Sequence, residues 1–370
     1  MTTRTASATE RPPVSIITGY LGSGKTTLLN HLLRDPALAN TAVIINEFGE
    51  IALDHLLVAA PSENMVLLAN GCICCAVRGD LVGTLDDLAG KRDRGETPPF
   101  DRVLIETTGL ADPVPVLQTL ITDPDVGPRY RMDGLVTLVD AVHGAAQLDE
   151  HREAVKQAAL ADRILITKCD IVADEALTEL ERRLSGLNPA ARRYRIVRGR
   201  IDPGELFGAT LQRGDGKAVA GWLGHASYSA AGRGNARLMR RGRVKHDQGV
   251  QAFALYVDQP VTEAGVVAWL HLLASLRGAN LLRMKALLNV AGRPVAVQAV
   301  QTLIDEPVAL NEWPDAERRS RLVFITRDIA RADIERTLEA LRYDAGVEPL
   351  RRGFDPQAYE RFLAVAKNFR

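Results

Sequence analysis

Short apolar runs recur along the first half of the chain, and stretches of helical period separate them. Residues 14–18, 42–46, 65–68, 102–106, 135–140 and 163–167 are rich in Val, Ile and Leu, and each breaks into a polar or glycine-containing loop. Between them, Leu28, Leu29, Leu32 and Leu33, and then Leu81, Leu85 and Leu88, recur three and four positions apart, which predicts amphipathic helices. The first helix should end near Pro36, residues 91–99 read as a charged linker, and a further helix should open around residues 113–115. Strands with no polar face, alternating with helices, predict an α/β fold with a mostly parallel, doubly wound sheet covered on both sides. A last strand at 194–197 would close this domain near residue 210.

The pattern then changes. Residues 213–248 are rich in glycine, alanine and serine and carry Arg233, Arg237, Arg240, Arg241, Arg243 and Lys245 with no acid among them, which reads as a linker or insertion. Beyond it come a strand at 250–257, a helix from Thr262 as N-cap to about 276, strands at 281–290, 294–303 and 321–326, and a final helix from Ala330. These elements predict a smaller α+β domain. The resulting division is a disordered N-terminus at 1–13, a nucleotide-type domain at 14–212, the basic linker at 213–248 and the C-terminal domain at 249–370. At 370 residues the chain is long enough for two domains.

Composition narrows the setting. Lysine plus arginine equals aspartate plus glutamate at 46 each, so no overall field favours nucleic acid or an anionic membrane. The first 13 residues lack the apolar core of a secretion signal, and no stretch offers about 18 apolar residues for a span, so a cytoplasmic, membrane-free protein is expected. Only four cysteines occur, three of them at 72, 74 and 75, which is no disulfide framework.

The chemistry begins at the end of the first strand. Gly19, Gly24, Lys25 and Thr26 stand at the G-x-x-x-x-G-K-T spacing, with Gly22, Ser23 and Thr27 in the same loop. Glycines allow successive backbone N–H groups to point at anionic oxygens, and the start of a helix adds its dipole. Lys25 would reach the outer phosphates of a nucleoside triphosphate, and the Thr26 hydroxyl would hold the bridging Mg2+. Glu106 ends another apolar run, where a carboxylate would hold magnesium directly or through water and is a candidate to position the attacking water. Lys25 would neutralise charge on the transferring phosphoryl. Gly109 is placed to offer its N–H to the terminal phosphate, so residues 107–113 are the candidate switch. In Thr167-Lys168-Cys169-Asp170, also at a strand end, Asp170 can accept together the two adjacent donors of guanine, which adenine lacks, and Lys168 would pack its stem along the base. GTP is therefore the expected nucleotide, and Cys169 reads as packing.

Cys72, Cys74 and Cys75 are too close for ordinary bridges but suit several sulfurs converging on one soft or borderline ion, zinc or cuprous. A fourth position is open to Glu47, Glu50, His55 or water. The other readings of these cysteines are apolar packing and a redox thiol set.

Together the motifs resemble the CobW-like metallochaperone GTPases, a branch of the P-loop GTPases. The resemblance rests on residues 19–27, on Asn46-Glu47-Phe48-Gly49-Glu50 with Asp54, on residues 70–75 with Arg78-Gly79-Asp80-Leu81, on residues 105–113 and on 167–170. In the second domain, Leu282-Arg283-Met284-Lys285, Val297-Gln298-Ala299-Val300, Trp313 and residues 321–327 resemble the family's C-terminal part. It implies a P-loop NTPase fold in which the Cys-x-Cys-Cys sulfurs bind Zn2+ or a similar metal between two switch segments, delivered to a client apo-metalloprotein during slow GTP hydrolysis. The alternatives are a maturation GTPase with a cobalt-linked client (cobalamin synthesis or nitrile hydratase) carrying Co2+, and a redox-regulated GTP-binding module. A homo-oligomer is compatible with all three. The chain departs from the family in three places: Thr167 stands where asparagine is commoner, Ala286 follows Lys285 where glycine is usual, and residues 213–248 are arginine-rich where many members are histidine-rich.

Overall fold

In the computed structural model, which describes residues 11–46, 66–70, 78–208, 222–223 and 249–344, the leading apolar run forms β1 (Pro13–Gly19), buried along its whole length. A strand with no exposed face needs neighbours on both edges and layers on both sides. It has β4 (Arg102–Glu106) on one edge and β5 (Arg131–Asp140) on the other, both parallel. The sheet continues outward through β2 (Thr41–Asn46) to β3 (Val66–Asn70), and through β6 (Arg163–Thr167) to β7 (Arg192–Arg195). The seven strands run in the order β3-β2-β4-β1-β5-β6-β7, and every pairing is parallel. The chain winds outward both ways from β1, so the loop that leaves β1 opens into the crevice at the strands' carboxyl ends.

Helix α1 (Lys25–Leu32) follows β1 and buries Leu28, Leu29 and Leu32 against Ile17, Val43, Leu104 and Val136. Each of these leucines contributes about 1.5–3 kcal/mol relative to exposure. Helix α2 (Arg78–Asp93) is longer than its sequence suggests: the charged stretch expected to be linker from residue 91 continues the helix. Lys91 pairs with Asp87 one turn back at 2.7 Å, and Leu88 and Ala89 remain buried. Helices α3 (Val114–Thr122), α4 (Gly144–Glu150), α5 (Arg152–Leu160), α6 (Asp174–Leu187) and the short α7 (Pro203–Leu206) complete this unit. The strand expected at 194–197 lies at Arg192–Arg195 instead; Val197 then folds back on Arg200 in an isolated bridge.

The chain separates into two compact units, Met1–Thr210 and Leu211–Arg370. The second holds an antiparallel sheet in the order β11-β10-β9-β13-β8, with β12 added on β10. Its strands are β8 (Val250–Val257), β9 (Leu281–Val290), β10 (Arg293–Val300), β11 (Leu303–Ile304), β12 (Val308–Ala309) and β13 (Ser320–Arg327). Helix α8 (Glu263–Arg277) packs Val266, Trp269, Leu270 and Leu273 on one face of this sheet, and the Thr262 hydroxyl accepts from Gly265 N–H at 2.8 Å as the expected N-cap. Helix α9 (Arg331–Thr337) follows β13.

Two expectations for this unit change. The strand read as 294–303 is a hairpin, because Gln301 takes a positive φ of 54° and β11 turns back along β10. Trp222 and Leu223, read as linker, are buried against Leu287, Ala296 and Leu310. The basic segment 233–245 lies outside the described residues.

Candidate functional site

The phosphate loop has the conformation its residues demand. Gly19 and Gly24 adopt φ of 148° and 95°, and a Cβ on Gly19 would stand 2.6 Å from the Leu138 carbonyl. With Gly24 left-handed as N-cap and no side chain capping α1, the first N–H groups of the helix are left to a ligand. Ser23 is fully buried, and its Oγ has no hydrogen-bond partner among the described residues. The Lys25 ammonium lies across the loop, donating to the Gly19 carbonyl at 2.8 Å and reaching Tyr20 O at 3.4 Å. An orphaned hydroxyl, an uncapped helix start and a lysine folded over the loop are what a triphosphate cradle presents. Thr26 and Thr27 occupy the first turn of the same helix.

The loop apex is held from two sides. Tyr20 stacks on His151 with centroids 4.5 Å apart, and the Gln147 amide donates to Leu21 O at 3.4 Å. Partial burial, with Glu153 and Glu150 nearby, raises the Tyr20 phenol above its usual value.

Glu106, at the end of β4, is buried and pairs in register with Ile17 of β1 and Ile45 of β2, one strand from the phosphate loop. The chain continues through Thr107, whose N–H donates to Ile17 O at 2.9 Å and whose hydroxyl donates to Thr18 Oγ1 at 2.8 Å. Gly109 then passes so close to the phosphate loop that a Cβ would lie 2.7 Å from Leu21 N, which only glycine permits. The candidate switch therefore touches the phosphate loop.

On the other side of β1, Asp140 and Thr167 end β5 and β6 as register partners. Lys168 takes a left-handed φ of 58° and its ammonium donates to the buried Asp140 carboxylate at 2.7 Å. That carboxylate also accepts from Val142 N–H at 2.8 Å. Lys168 is thus fixed at its head, leaving its stem available to line a base. Asp170 follows in a short 3-10 turn (Cys169–Ile171) and is exposed. The Cys169 thiol donates to Ile166 O at 3.0 Å, and burial pushes its pKa up, so it packs as expected. Thr167 has a role that sequence reasoning missed: its hydroxyl donates to Ser23 O at 2.8 Å and so ties the phosphate loop to β6. Also missed was the turn at Arg198, with φ of 52°, where a Cβ on the adjacent Gly199 would lie 2.7 Å from Thr27 O. An R-G dipeptide after a strand was the available signal.

Glu47, Glu50, Cys72, Cys74 and Cys75 lie outside the described residues. The strands that lead to them are described: Asn46 and Asn70, the last residues of β2 and β3, are register partners, and Ile45 pairs with Glu106. Among the described residues no group of three or more His, Cys, Asp or Glu is placed to hold a metal ion.

Comparison with known proteins follows the same map. The family described as CobW/HypB/UreG, nucleotide-binding domain, matches residues 13–195, and the cobalamin synthesis protein cobW C-terminal domain matches residues 250–342. The chain belongs to the CobW family. It is a P-loop GTPase with the family's second domain attached. It is 35% identical to the zinc chaperone YjiA of Escherichia coli over 89% of this chain and 98% of that protein. It is also 29% identical to the zinc chaperone CobW of Pseudomonas aeruginosa over 88% and 90% of the two chains. Among solved structures, that of Zn(II)-bound YjiA GTPase from E. coli superposes with a TM-score of 0.68 at 29% identity, covering 90% of this chain and 99% of that one. Among the described residues, no helix of this CobW-family protein is long and apolar enough to cross a membrane.

Proposed function

We propose that the chain is a GTP-hydrolysing metallochaperone that binds zinc at Cys72, Cys74 and Cys75 and hands it to a client metalloprotein as the nucleotide turns over. The observation that carries this reading is the end-to-end register of β3, β2 and β4. Asn46 pairs with Asn70, and Ile45 with Glu106, so β3, β2 and β4 finish together at the carboxyl end of the sheet. That is the end at which β1 gives way to the phosphate loop, and the cysteine and acidic segments follow β3 and β2 in sequence. The curated relatives named zinc chaperones support the choice of metal. Cobalt is the alternative that the thiolate donors also accept, and affinity order favours zinc over it.

In this reading the first turn of α1 and the loop N–H groups hold the phosphates, and Gly19, Gly22, Ser23, Gly24 and Thr27 line the cradle. Lys25 leaves the Gly19 carbonyl for the outer phosphates. Thr26 and Glu106 would hold magnesium, which supplies positive charge against the transferring phosphoryl. Asp170 reads guanine while Lys168, anchored on Asp140, lines its face. Gly109 offers its N–H to the terminal phosphate, so residues 107–113 sit differently with GTP and GDP. Glu47 and Glu50 are the further candidate zinc ligands. Because thiols must lose protons to bind, zinc affinity should fall as pH drops. The test is zinc content of purified protein with and without GTP, in the wild type and in Cys74→Ser; binding untouched by that substitution would remove the cysteine site.

A further inference from the structure

The candidate switch is gripped by one helix. Gln157 of α5 is 1% exposed, and its Nε2 donates to the carbonyls of Gly109 at 3.2 Å and Ala111 at 3.0 Å. The preceding residue, Lys156, donates to the Asp112 carboxylate at 2.6 Å. Thr137 of β5 donates through its hydroxyl to the Gln157 backbone carbonyl at 2.8 Å, which fixes this turn of the helix to the sheet.

Ala154, Val155, Ala158, Ala159 and Leu160 are all buried on the same helix, so packing alone would accept an apolar residue at 157. The amide is there for its hydrogen bonds. Two carbonyl acceptors require the NH2 end to face them, which fixes the amide's orientation. The other end, Oε1, is buried and has no hydrogen-bond partner among the described residues. A buried amide oxygen without a donor is costly, so this arrangement satisfies only half of the group.

We propose that Gln157 is the positioning residue that holds residues 109–111 in the first of two places, the one seen here. When contact with a terminal phosphate shifts the segment, Oε1 accepts one of its backbone N–H groups. One side chain then has a set of bonds for each state, which gives the two-state element that a nucleotide switch requires. The inference rests on reading residues 107–113 as the nucleotide-responsive segment.

Gln157→Met keeps the length of the side chain and removes both donor and acceptor. Affinities for GDP and for a non-hydrolysable GTP analogue with magnesium are measured in the full-length wild type and the variant. The expected result is a GDP affinity within about twofold of wild type and an analogue-to-GDP affinity ratio changed by about fivefold to thirtyfold. Backbone hydrogen exchange over 107–113 should also quicken in the nucleotide-free variant. An unchanged ratio, or both affinities falling together with the melting temperature, overturns the proposal. Should Gln157→Met not fold, Gln157→Asn withdraws the amide by one methylene and the same ratio is read. Failure of the wild type to bind either guanine nucleotide overturns the nucleotide reading and this proposal with it, whereas binding with an unchanged ratio overturns only the role of Gln157.

Discussion

In the parallel sheet the buried carboxylates Glu106 and Asp140 stand at the carboxyl ends of β4 and β5, whereas in the antiparallel sheet Arg283, Lys285 and Arg321 are buried within β9 and β13. Two of these cations tie covering segments to their sheet. Lys285 donates to Trp222 O at 3.2 Å and lies 5.3 Å from its ring centre, and Arg321 pairs with Asp315 at 2.6 Å. The strand-end groups face loops, where the ladder stops and a ligand can enter. Buried carboxylates at the carboxyl ends of the parallel strands therefore line the candidate site, whereas the buried cations of the antiparallel strands hold the architecture.

The contrast predicts which substitutions move stability and which move nucleotide. Trp269 is fully buried, donates to Thr337 Oγ1 at 3.0 Å and meets Phe324 edge-on. Trp269→Ala should cost about 3–5 kcal/mol in unfolding measurements while leaving GTP affinity of the folded protein within about twofold; a parallel loss of GTP affinity would break the comparison. Asp170 is exposed, so Asp170→Asn should leave the melting temperature in place and weaken GTP by about a hundredfold, the worth of two charge-assisted hydrogen bonds. Equal weakening of ATP would count against guanine reading. Thr167→Val removes the tether to Ser23 O and should weaken GTP about fivefold, with Thr167→Ser restoring it. If valine binds as well as threonine, the tether does not position the loop.

The smallest effect concerns Cys169. Its thiol pKa is raised by burial, so the folded protein keeps the proton longer than the unfolded chain. Any stability from the neutral thiol is present below the unfolded value near 8.5 and is lost as pH rises through the higher folded value. With the other three cysteines changed to serine, alkylation of Cys169 at pH 7.5 should be slower than that of a free thiol. A faster rate would mark it as reactive rather than packed.

Most of the first domain was legible because the parallel strands other than β7 each carry a short apolar run and the phosphate loop is a local motif. What escaped depends on contacts distant in sequence. Trp222 sits in a stretch of glycine, alanine and arginine whose composition says linker, and only β9 and β10 make it core. The turn that splits 294–303 into β10 and β11 is a left-handed glutamine, which no turn residue announces. Gln157 did leave a trace, a polar residue on the apolar face of α5, but its partners lie 46 and 48 positions away. Thr167 reads in sequence only as a departure from the commoner asparagine, because its partner, Ser23 O, lies 144 positions away.

Zinc affinity, measured by chelator competition in nucleotide-free protein and again with GDP or a GTP analogue and magnesium, bears most directly on the claim that nucleotide and metal sites share one end of the sheet. The account predicts tight binding of about one zinc per chain, lost in Cys74→Ser, and an affinity that changes at least about fivefold between GDP and the analogue. The same affinity in all three nucleotide states would contradict it.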